Sequence, residues 1–143
     1  MFGNDRNQLR QMFFDVWRKH NEKSELEALE QLICQIILMH PEYHPLLENP
    51  EKNLQREYFA EQGELNPFLH MAMHISIHEQ LATQRPNGIT EVYARLLAKA
   101  PDPHQSEHIM MDCLSEMIWQ SQKSGQPPDD QSYMNCLNKA AQS

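Results

Sequence analysis

Residues 6–20 carry Leu9, Met12, Phe13, Val16 and Trp17. That spacing (i, i+3, i+4, i+7, i+8) gathers the apolar side chains on one face of a helix, whereas the two-residue period of a strand would scatter them over both faces. The rhythm recurs along the chain. Leu26, Leu29, Leu32, Ile33, Ile36 and Ile37 mark a second helix, and Ile89, Val92, Tyr93, Leu96 and Leu97 a fourth. Met110, Cys113, Leu114, Met117 and Ile118 stripe a fifth over about 103–123, and Tyr133, Met134 and Leu137 a last short one. No alternating β-branched run competes with this pattern, so the fold class is all-α. The predicted core comprises Phe13, Trp17, Leu29, Ile33, Ile36, Phe68, Ile75, Leu96, Leu114 and Met117.

Polar caps and breakers divide the helices. Ser24 with Glu27 has the spacing of a capping box for the second helix, which Pro41 ends. Asn66-Pro67 opens the third, Pro86 and Gly88 close it, and Asp102-Pro103 repeats the cap-plus-proline start for the fifth. SGQPPDD separates the last two. HPEYHPLLENPEKNLQREYFAEQGELN, residues 40–66, is the long irregular stretch, although ENPEKNLQ could hold a helical turn. A connection of this length is usually a binding loop or an ordered cover for a core. The expectation is one domain, 1–143: a single compact bundle of five or six helices with a long loop around 40–66.

Charge narrows the partners. A formal net charge of −8, with 12 unclustered Lys and Arg, argues against nucleic acid, whose binding needs cations to displace phosphate counterions. No apolar run is long enough to span a membrane, and MFGNDRNQLRQ lacks the pattern of a signal peptide, so a cytoplasmic protein is expected. Cys34, Cys113 and Cys136 form no CxxC pair. Neither a disulfide framework nor a zinc knuckle is expected, and each thiol reads as a small buried hydrophobe.

Eight histidines are the feature that composition leaves unexplained. His40 and His44 lie in HPEYHP; His70, His74 and His78 follow one another in NPFLHMAMHISIHEQL; His104 and His108 lie in PHQSEHIMMD. All share a four-residue spacing, which on a helix puts two imidazoles about 6 Å apart on one face. If the third, fourth and fifth helices run up, down and up, His70, His74, His104 and His108 come to one pole, with His40 and His44 in the loop leading there. That set is the candidate for a divalent transition metal, zinc, nickel, copper or iron, since neutral imidazole suits all of these. His108 and Asp112 lie nearly opposite the fifth helix's apolar stripe, however, which also fits a solvated face. Asp112 is better placed to orient a histidine than to ligate, and His78, a turn deeper, to make a buried hydrogen bond.

More specific templates fail. No Glu-x-x-His is present for a ferritin-like di-iron site, and Ala82 breaks the HExxH that His78-Glu79 would begin. Nor is there a Gly-rich phosphate loop, a GxSxG elbow or a redox CxxC, so the sequence assigns no reaction. The rival to a metal site is a non-enzymatic interaction or dimerisation module with structural histidines. It would show an exposed apolar patch around Trp119 and Tyr133, or a homodimer burying the histidine face.

The runs HPEYHPLLENPE, NPFLHMAMHISIHEQLATQRPNGI and DPHQSEHIMMDCLSEMIWQSQ resemble the proteobacterial family Domain of Unknown Function 1841. NPFLHM and MMDCLSEMIWQ are the most distinctive parts, and the likeness spans nearly the whole chain. The resemblance implies a small bacterial helical protein and carries no chemistry with it.

Overall fold

A computed structural model describes residues 6–59, 66–99 and 102–142. No strand occurs among them. The elements are α1 (Arg6–Asn21), α2 (Ala28–Leu38), α3 (His44–Leu47), α4 (Pro50–Asn53), α5 (Pro67–Thr83), α6 (Ile89–Lys99), α7 (Pro103–Ser124) and α8 (Asp130–Gln142), with a 3-10 turn at Pro41–Tyr43. The expected count of five or six helices is therefore corrected to eight among the described residues. The six long helices stand where apolar periodicity or, for α5, the flanking cap and breakers put them. The additional two, α3 and α4, are four residues each and lie inside the stretch expected to be irregular. Prolines at the first position of the 3-10 turn and α4 and at the second of α3 explain this, because a fixed φ favours the start of a helical turn.

That stretch is an ordered cover. Buried Asn53 donates to the Leu46 and Asn49 carbonyls at 3.0 Å each. Arg10 of α1, 1% exposed, donates to the carbonyls of Leu54 (3.0 Å) and Arg56 (2.7 Å) while its guanidinium lies 4.7 Å from the Phe68 ring centre. Residues 60–65 of the expected loop lie outside the described residues.

A second correction concerns the start of α2. Lys23 adopts a left-handed φ of 60°, and the N–H groups of Ser24 and Lys23 return to the carbonyls of Lys19 (2.9 Å) and His20 (3.1 Å). This is the Schellman closure of α1. Ser24 thereby closes α1, and α2 begins only at Ala28, four residues on. The cap moves to Glu27, whose N–H donates to Glu30 Oε1 at 3.0 Å. Lys19 Nζ reaches Glu30 Oε2 at 2.7 Å; the Glu27 N–H first, and Lys19 second, hold the Glu30 carboxyl below its ordinary range. The other predicted caps appear as expected. Asn66 Oδ1 accepts from the N–H groups of Phe68 and Leu69, and Asp102 Oδ1 from that of His104.

The chain groups into two compact units that divide inside α5, between Ile75 and Ser76. In the first, α1 and α2 enclose Phe13, Phe14, Val16, Trp17, Ile33, Ile36 and Ile37, with Leu47, Phe68, Met71 and Ile75 against them. In the second, α6, α7 and α8 pack together around Ile89, Val92, Leu96, Met110, Leu114, Tyr133 and Leu137. Eight of the ten predicted core residues are buried. Leu29 is 48% exposed and Met117 is half-buried. Near its start, α2 has little to pack against on the Leu29 side; the buried set begins at Ile33.

A third correction concerns the cysteines. Cys113 of α7 and Cys136 of α8 form a disulfide, 23 residues apart in sequence with Cα atoms 5.7 Å apart. The hairpin of α7 and α8 opposes two positions that no local motif relates. Only Cys34 remains a buried free thiol.

Candidate metal centre

The first unit brings three of the predicted histidines together. His40 follows the end of α2, and its backbone N–H closes on the Ile37 carbonyl at 3.0 Å. Its ring Nδ1 lies 2.7 Å from the Ile36 carbonyl oxygen. A carbonyl can only accept, so Nδ1 carries the hydrogen and Nε2 carries the lone pair, the tautomer a metal ligand needs. His70 and His74 stand on successive turns of α5, whose start the Asn66 cap and Pro67 fix.

The three ring centres form a near-equilateral triangle: His40–His70 5.0 Å, His40–His74 4.8 Å and His70–His74 5.0 Å. One nitrogen of each lies within 4.8 Å of one of each of the others. Three imidazoles bound to one tetrahedral ion at about 2.1 Å would have ring centres about 5 Å apart, which is the spacing observed. His40 and His74 are buried and His70 is half-buried, which leaves one ligand on the solvent side. The Tyr43 ring stacks on His40 at 5.4 Å and meets the edge of His70 at 6.2 Å. Burial first, then the charge of Glu42, pushes the Tyr43 hydroxyl above its ordinary range, so it is held as a neutral phenol.

His44, also predicted as a ligand, is placed differently. Its Nε2 lies 2.8 Å from the Ile37 carbonyl and its ring packs 4.3 Å from Trp17. That nitrogen is donating a hydrogen bond to the end of α2, and the ring is a wall of the core.

In the second unit, His104 and His108 occupy successive turns of α7 with ring centres 4.4 Å apart. His104 is half-buried and His108 exposed, as is Asp112. His78 makes a buried polar contact as expected, but with a residue the sequence did not single out: its Nε2 is 3.0 Å from Oε1 of Glu107, which is 3% exposed. Glu107 sits one residue from His108. Nothing in the spacing distinguished it. Trp119 is 53% exposed with Lys123 Nζ 4.8 Å over its ring, whereas Tyr133 is 1% exposed and donates to Gln80 at 2.7 Å. The predicted patch pairing Trp119 with Tyr133 is thus corrected, because Tyr133 belongs to the core.

A family model, Domain of unknown function (DUF1841), matches residues 5–139. The chain belongs to the DUF1841 family. No curated protein and no solved structure matches it. The histidine triangle therefore carries the functional argument by its own geometry, on residues that all lie within the matched span. Among the described residues no helix is long and apolar enough to cross a membrane.

Proposed function

We propose that this protein binds a divalent transition metal through His40, His70 and His74. The observation that carries the reading is the 5 Å triangle of rings in which the Ile36 carbonyl presets His40 to ligate through Nε2. Imidazole suits zinc, nickel, copper and iron(II) alike. Three protein ligands leave a coordination position for water or a substrate, the arrangement from which hydrolytic or redox chemistry becomes available. We leave His44 out of the set because its ring packs against Trp17, away from the other histidines. His104 and His108 are proposed separately, as a pair able to hold an ion from two turns of α7. The acidic charge leads us to propose no nucleic-acid partner.

Elemental analysis of untagged protein tests the reading. One equivalent of metal per chain is expected, lost in His70→Ala and His74→Ala and retained in His44→Ala. Substoichiometric metal in the unsubstituted chain, or a content unchanged by both substitutions, would overturn it. The metal content of a His104→Ala/His108→Ala chain reads the second pair by itself.

A further inference from the structure

The Cys113–Cys136 disulfide borders a cleft of about 300 Å³ between α7 and α8, and both cysteines line it. The two cysteines differ in exposure. Cys113 is 4% exposed and belongs to the core, whereas Cys136 is only half-buried. Glu116 and Asp129 also line the cleft, and no basic residue does among the described residues. Asp129 caps α8, accepting from the Ser132 hydroxyl at 2.8 Å and the Gln131 N–H at 3.0 Å; the Ser132 bonds foremost hold its carboxyl below the ordinary range, so it stays charged. A disulfide whose two ends differ in exposure reacts at the accessible sulfur, because thiolate attack needs a line of approach.

We propose that Cys136 is a thiol-exchange site, modified by small cationic thiols that enter this cleft. The thiolate attacks Cys136 Sγ and forms a new S–S bond. The Cys113–Cys136 bond breaks, and its electron pair goes to Cys113 Sγ, which takes a proton from water. The product is a mixed disulfide on Cys136 and a buried Cys113 thiol. A second thiol attacks the outer sulfur of that adduct, releasing the thiol's own disulfide and freeing Cys136. The acidic lining selects the charge of the incoming thiol: a cation gathers there and an anion is repelled. This site is independent of the histidine triangle.

The test treats the folded, oxidised protein near neutral pH with cysteamine, 2-mercaptoethanol or thioglycolate, quenches with acid and maps adducts by peptide mass spectrometry. Each rate is divided by that of the same thiol on the urea-unfolded chain, which removes differences in intrinsic reactivity. The expected result is an adduct on Cys136 and none on Cys113. The normalised rate should fall several-fold from the cation through the neutral thiol to the anion, and Glu116→Gln, a substitution at an exposed position, should narrow that spread. Reaction only at the rate of global unfolding, an adduct on Cys113, or a normalised order indifferent to charge would each overturn the proposal.

Discussion

His78 Nε2 and Glu107 Oε1 lie 3.0 Å apart, with the carboxylate buried and the imidazole about one-third exposed. The hydrogen bond to Glu107 is the main cause that raises the His78 pKa, burial opposing it and the charge of Glu107 adding to it. Glu107 in turn helps push up the Tyr93 hydroxyl, behind the larger effect of burial.

A pH dependence follows from the sign of that shift. A histidine whose folded pKa is raised contributes stability that is fully present below its unfolded pKa of about 6.5 and is lost as pH rises through the folded value. Thermal unfolding across pH 5.5 to 8.5 should therefore show the advantage of the unsubstituted protein over His78→Gln shrinking as pH increases. A constant difference would mean the contact is not ionic. Glu107→Gln should bring the His78 titration, followed by NMR, back down.

Arg10 is another buried polar group with partners in the core. Its guanidinium supplies Leu54 and Arg56 with their carbonyl partners and lies against the Phe68 ring. Arg10→Met should cost about 2–4 kcal/mol in denaturant unfolding, since hydrogen bonds to a charged group are worth roughly 1.5–3 kcal/mol and the carbonyls lose their donor. Arg10→Lys should recover little of this, because a single ammonium does not reproduce the planar fork.

The disulfide should matter to stability in proportion to the loop it closes. For a sequence separation of 23 residues, the chain-entropy relation gives about 3 kcal/mol. Cys113→Ser/Cys136→Ser should unfold at lower urea by that amount. An unchanged midpoint would place the bond's effect elsewhere than in the unfolded chain.

How far the sequence could be read is visible in α2. Its period correctly announced a helix with Ile33 and Ile36 inside, because apolar spacing reports the face that is buried. The same period could not say how far toward the N-terminus a neighbour extends, and Leu29 lies 48% exposed beyond it. Ile33→Ala should cost about 2–5 kcal/mol, while Leu29→Ala should stay near the surface range of about 0.5 kcal/mol. The histidine triangle was partly legible for the same reason. Four-residue spacing relates His70 to His74 within one helix, but only the turn after α2 brings His40 to them. His44 shares the spacing, but its ring packs against Trp17. Glu107, Arg10 and the Cys113–Cys136 pair needed the tertiary fold, since each owes its place to residues distant in sequence.

The last prediction concerns what metal does to the folded chain. A ligand that binds only the native state adds RT ln(1 + [L]/Kd), about 2.7 kcal/mol at one hundred times Kd, and for a chain of this size that raises the melting temperature by roughly 8 °C. Zinc added to metal-free protein should produce a rise of that order, saturating with concentration. His74→Ala should abolish the rise, because it removes a buried corner of the triangle whose spacing fits one ion. His44→Ala should lower the starting melting temperature by loosening the contact with Trp17 yet keep the rise. The two substitutions thus separate ligation from packing: a rise that survived His74→Ala, or that vanished with His44→Ala, would place the ion away from His40, His70 and His74.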